Sequence, residues 1–187
     1  PSRLDVLVNK YRKLDSNYTP SDLEKIDERF NPEGLFLRHC ARIAFERMCE
    51  SALLEGISLR AVSAFRSYSY QHEVYFRYLT SDKTLEDYQI QRDKVSARAG
   101  HSEHQTGLAV DINDLEESFE KTQEGKWLAS NAYKYGFILR YPKGKEAITG
   151  YSYEPWHYRY LGKRLAYQVY RSGLTYDEYY VRHNAAG

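Results

Sequence analysis

Cysteine is scarce in this 187-residue chain, with Cys40 and Cys49 alone. Both fall in one expected helix, nine residues or about 13 Å apart, which excludes a disulfide between them. They read as core thiols and carry no argument for or against export. Long apolar runs are missing as well, so no stretch approaches a membrane span. An excess of either charge is absent: 27 Lys and Arg stand against 26 Asp and Glu, a net +1. With no basic stripe, nucleic acid is excluded as the expected partner. Internal repeats, low-complexity tracts and linkers are lacking too. The chain opens at Pro1 without Met or a signal-like segment, as a mature or trimmed form would, so targeting information is expected to be missing from it.

What is abundant is tyrosine, 19 residues against 7 Phe and 2 Trp. Amphipathic rings in such number suit half-buried structural positions, and also contact with sugar or peptide in a cleft. The length suits one domain with a real core. Residues 1–30 read as an arm wrapping a domain of residues 31–187. Asn31-Pro32-Glu33 has the form of a helix start, and Leu37, Cys40, Ala44, Met48 and Ala52 form an apolar stripe that Gly56 ends. Residues 57–65 alternate as a strand and lead into a helix through Tyr78, with a second helix over about 82–97. Further along come a strand in GLAVDI, a helix over about 115–134 capped by Asn113 or Asp114, and a short strand in FILRY. After a loop from Pro142 to Tyr153 the spacing predicts a strand in WHYRY, then a helix closed by Gly173. A Thr175/Glu178 capping box opens a last short helix. Strands and helices mixed in this way imply one α+β domain.

The chemistry concentrates in SEHQTGLAVD, Ser102 to Asp111, and EPWH, Glu154 to His157. Catalytic zinc uses three protein ligands and keeps one position open, and His104, Asp111 and His157 are the candidates. His104 and Asp111 are seven apart, roughly 23 Å if extended, so they can share a metal only if the chain folds back. Thr106-Gly107 supplies the turn. Beyond it Leu108, Val110 and Ile112 point one way and Ala109, Asp111 and Asn113 the other. Pro155 suits the first residue of a strand, which leaves Glu154 in the bend before it, as the base that acts on the attacking water. Arg66 lies where a strand hands over to a helix, and its guanidinium fork suits a carboxylate or a developing oxyanion. Trp156 is expected to pack beneath the site. His39, His72, His101 and His183 read as structural or surface residues.

SAFRSYSYQ, GHSEHQTGLAVDIND and YPKGKEAITGYSYEPWHYRY together resemble the M15 zinc peptidases, specifically the VanY-type D-alanyl-D-alanine carboxypeptidases and the LdcB-type L,D-carboxypeptidases. The likeness runs from about residue 57 to 162, and the family pattern S-x-H-x-x-G-x-A-x-D is met in full by Ser102, His104, Gly107, Ala109 and Asp111. Ala64-Phe65 stand where relatives often have Gly-Tyr. The resemblance implies an antiparallel sheet flanked by helices, the fold shared with Hedgehog and the D,D-peptidases. It also implies one Zn2+ on His104, Asp111 and His157, with Glu154 in catalysis. By position it adds Arg66, Gln71, Ser102 and Tyr141 as residues that hold the terminal D-amino acid or polarise its carbonyl. The implied substrate is a peptidoglycan stem peptide or precursor, met as a monomer at the bacterial cell wall outside the membrane. An endopeptidase of the same fold and a non-catalytic wall-binding module are the competing readings. Glu154 argues against the second, and Arg66 with Ser102 against the first.

Overall fold

The structure is a computed structural model and describes residues 3–184. Two sheets organise it. Strands β1 (Leu23–Lys25) and β2 (Phe36–Arg38) form an antiparallel pair. Strands β3 (Ala61–Ser63), β4 (Ala109–Ile112), β5 (Phe137–Leu139) and β6 (His157–Tyr160) form a four-stranded antiparallel sheet in the order β3-β4-β6-β5. Helices α1 (His39–Leu54), α2 (Tyr68–Phe76), α3 (Leu85–Arg92), α4 (Gln123–Asn131), α5 (Glu146–Thr149), α6 (Lys163–Ser172) and α7 (Tyr176–Asn184) complete the α+β domain.

Val110 and Ile112 of β4 meet Phe45 and Met48 of α1 in the main apolar core, the face expected from the alternation in GLAVDI. Burying that face leaves Ala109 and Asp111 on the other side of the sheet. A second cluster packs Ile138 against Leu161, Ala166, Val169 and Tyr176. Among the described residues no helix is long and apolar enough to cross a membrane.

Several expectations are corrected. No helix starts at Asn31. Its side chain instead donates to the carbonyls of Ile26 and Leu35 and accepts from Leu35 N–H, while Gly34 adopts a positive φ of 69°. These bonds close a turn between β1 and β2, and α1 begins only at His39. Its buried stripe is therefore Ala41, Phe45, Met48, Cys49 and Ala52, with Cys40 and Ala44 half-buried beside it. The 57–65 strand contracts to three residues with a register shift. Asn113 holds its approach, accepting from Arg60 N–H and donating to Ser58 O. That role replaces the expected helix cap.

The 115–134 helix divides into 3-10 turns at Glu117–Lys121 and Ala132–Tyr135 around α4. Thr122 starts α4 afresh by accepting from Gly125 N–H. Gly125 in the first turn of α4 allows close packing, since a Cβ there would lie 2.1 Å from Phe119 O. The 82–97 helix ends at Arg92, and the loop after Pro142 holds the short α5. Gly173 and the Thr175/Glu178 capping box stand as expected.

The described residues of the amino-terminal segment, from residue 3 on, are laid against the rest of the chain. Leu7, Val8 and Leu14 are buried, and Gln105 donates to the carbonyls of Asp15 and Tyr18. A boundary at residue 30 falls between two paired strands, β1 and β2.

Candidate active site

Ser102 opens a short 3-10 turn, Glu103–Thr106, by accepting from His104 N–H. Gly107 ends it in the left-handed region at φ 66°, which non-glycine residues rarely adopt. The chain folds back there and enters β4. Strand register then does the rest, since Asp111 on β4 pairs directly with His157 on β6. Directly opposed residues share a face, so the carboxylate and the imidazole meet. Glu154 sits in a turn closed by a hydrogen bond from His157 N–H to Glu154 O, which brings it to the same side.

The three candidate ligands offer atoms within 4.8 Å of one another, all buried. His104 Nε2 is 3.3 Å from Asp111 Oδ2, and His157 Nδ1 is 3.1 Å from Asp111 Oδ1. A tetrahedral centre with bonds of about 2.1 Å sets its ligands roughly 3.4 Å apart. His104 Nε2 and Asp111 Oδ1 are buried with no hydrogen-bond partner, a costly state for a polar atom unless something binds there. Two imidazole nitrogens and a carboxylate are the donor set zinc takes, so the residues fit the metal.

The remaining ring nitrogens are anchored. His104 Nδ1 lies 2.6 Å from Ala64 O, and His157 Nε2 lies 3.4 Å from Glu103 Oε2. Burial, aided by the Arg66 charge, holds His104 below its ordinary pKa, in the neutral form that can ligate. Burial would lower His157 too, but the neighbouring carboxylates of Asp111 and Glu103 outweigh it and push it up to about 9. Burial would raise Asp111; the neighbouring imidazoles outweigh it and hold the carboxyl well below its usual range. Glu154 Oε2 is 3.6 Å from His157 Nδ1, and burial pushes this carboxyl up to about 7.

Arg66 donates its backbone N–H to His104 O, its Nε is buried without a partner, and its charge acts on Asp111 and Glu154. Tyr141 is buried with its ring 4.9 Å from that of His157. Burial raises its phenol, which keeps the proton. Ser102 is buried beside His104. Gln71 is fixed on α2 by donating to Ala97 O, and its buried Oε1 has no partner. Trp156 is half-buried and packs against the main core. The other histidines are engaged elsewhere, His101 with Asn9 O and His39 with Glu24.

Glu103 was not among the expected residues. It is 1% exposed and receives Arg140 Nε and Arg159 Nη1, both at 2.7 Å, on one oxygen. The available signal was an arginine inside each of two apolar strand segments, FILRY and WHYRY, where a buried charge demands a partner.

A sequence profile described as VanY, D-alanyl-D-alanine carboxypeptidase, matches residues 34–163. The chain belongs to the VanY family. YodJ of Bacillus subtilis (strain 168) is 43% identical over 97% of this chain and 68% of its own length. Among solved structures, that of the LdcB LD-carboxypeptidase superposes with a TM-score of 0.84 at 44% identity, covering 93% of this chain and 84% of its own. That of a point mutant of the vancomycin-resistance D,D-pentapeptidase VanY, in complex with Zn(II), gives 0.79 at 32% identity, covering 94% and 98%. The VanY-type resemblance and the antiparallel α+β fold are therefore both met.

Proposed function

We propose that this VanY-family chain is a zinc-dependent carboxypeptidase that removes the C-terminal D-Ala from peptidoglycan stem peptides. The observation that carries this is the buried His104, Asp111, His157 cluster, with atoms left unpartnered, beside the carboxyl of Glu154. His104 through Nε2, His157 through Nδ1 and an Asp111 oxygen would hold the metal. When bound, zinc supplies a Lewis acid that polarises the scissile carbonyl and acidifies water. Glu154 takes the proton of the attacking water and passes it to the leaving amine. Arg66 balances the oxyanion or the substrate's terminal carboxylate, and Tyr141 can donate its phenolic proton to the same developing charge. Ser102 and Gln71 complete the pocket for the terminal residue. Residues 31–187 form the catalytic unit, with 1–30 as its arm, acting as a monomer at the bacterial cell wall outside the membrane. The higher identity to the LdcB structure than to the VanY structure, 44% against 32%, favours the L,D-linked tetrapeptide stem.

The test incubates zinc-loaded protein with synthetic tetrapeptide and pentapeptide stems, and with the same peptides amidated at the C terminus. Mass spectrometry should find free D-Ala released from the carboxylate forms, the tetrapeptide faster, and none from the amides. Cleavage inside the stem, or equal turnover of the amides, would instead mark an endopeptidase.

A further inference from the structure

We infer that Glu103 is the positioning residue of the metal site: clamped by Arg140 and Arg159, its carboxylate holds His157 Nε2–H and so turns Nδ1 toward His104 and Asp111. The inference rests on the metal reading above and adds a residue with no ligand or proton-transfer role of its own.

The two oxygens of Glu103 do different things. Oε1 takes both guanidinium groups at 2.7 Å, which is all that a buried ion pair requires. Oε2 faces His157 Nε2 at 3.4 Å. Every guanidinium nitrogen of the two arginines has a partner. Arg140 Nη1 reaches Asp177 Oδ2 at 2.5 Å and its Nη2 reaches Val8 O at 3.5 Å. Arg159 Nη2 donates to Leu4 O and Val6 O, both at 2.7 Å, and its Nε to Tyr160 O at 3.1 Å. Two cations balance two carboxylates, and a buried network with a partner on every guanidinium nitrogen is rigid. The clamp thus runs from the amino-terminal arm through Glu103 to α7.

Fixing His157 matters because its ring has two orientations. The rings of His104 and Tyr141 lie against it, each with centroids 4.9 Å away. Ring contacts of that kind restrain its plane but do not tell one edge from the other. Turned over, the imidazole would carry Nδ1 away from Asp111 and present carbon in its place. Asp111 Oδ1, 3.1 Å from Nδ1, opposes the flip at one edge, and the Glu103 acceptor opposite Nε2 opposes it at the other. His104 has the equivalent anchor in Ala64 O. Partners of this kind orient ligating histidines, and their loss commonly weakens metal binding about 10–100-fold.

Two measurements test the assignment. Nitrogen-15 imidazole spectra of the zinc-loaded wild-type chain should show His157 carrying a slowly exchanging Nε2 proton and His104 a proton on Nδ1. A His157 ring with its proton on Nδ1, or with a freely exchanging Nε2 proton, overturns the inference. Glu103→Gln, competed against a chromophoric chelator, should bind zinc about 10–100-fold more weakly and show an altered visible spectrum when loaded with cobalt(II). Met48→Ala, a core truncation in α1, should lose stability and keep the wild-type cobalt spectrum. Unchanged affinity and spectrum in Glu103→Gln, or the same spectral change in Met48→Ala, overturns it. Should Glu103→Gln fail to fold, the wild-type spectra decide alone. A wild-type chain that takes up no zinc would sink the metal reading itself, a separate failure.

Discussion

Asp111, buried, and Glu154, half-buried, are two carboxylates beside one imidazole, and their surroundings push them in opposite directions. Asp111 lies between His104 and His157 and is held ionised, suited to ligation. Burial lifts Glu154 to about 7, where a carboxyl can both accept and return a proton near neutrality. Environments that separate two titratable groups in this way mark their division of labour. Glu154→Gln is therefore expected to keep one zinc per chain by metal analysis while turnover of stem peptide falls about 10²–10⁴-fold. Loss of zinc in step with activity would make Glu154 a ligand instead. At this scale the residue types in S-x-H-x-x-G-x-A-x-D and EPWH announced the chemistry. What they could not announce was Glu103 or the carbonyl of Ala64, because no residue name says which oxygen faces which ring nitrogen.

Strand register, more than any single side chain, assembles the site. Asp111 opposes His157 across β4 and β6, and a one-residue slip would send one of them to the core face. Gly107 guards that register. It sits at φ 66°, a Cβ there would lie 2.9 Å from both Arg38 Cγ and Leu23 Cδ2, and its carbonyl accepts from Arg38 N–H. Gly107→Ala is expected to cost about 1–3 kcal/mol by denaturant titration. Gly144→Ala, at φ 77° with nothing within 4 Å, suffers the backbone strain alone and should cost less. Equal losses would show that crowding against β1 and β2 is unimportant.

The turn at Thr106-Gly107 and the alternation in GLAVDI were legible because both are local. The false helix start at Asn31 was local too, yet it failed. The same Asn-Pro-Glu pattern serves a turn when Asn31 bonds to Ile26 and Leu35 rather than to a helical N–H.

Across the whole molecule, the sheet order β3-β4-β6-β5 puts the two strands that carry Asp111 and His157 side by side at its centre. That adjacency joins residues 46 positions apart, as the numbering shows. Pattern reading supplied the strands without their order, since hydrophobic periodicity fixes a face and says nothing of a neighbour. That the amino-terminal arm wraps the domain was an expectation from the sequence, without contacts. Its reach to Arg159 through the carbonyls of Leu4 and Val6 depends on backbone atoms that every residue has.

The most direct measurement is diffraction from zinc-loaded crystals at the zinc absorption edge. A single anomalous peak is expected within about 2.0–2.2 Å of His104 Nε2, His157 Nδ1 and an Asp111 oxygen. A peak elsewhere, or one that leaves any of these three out of its coordination shell, would contradict the assignment.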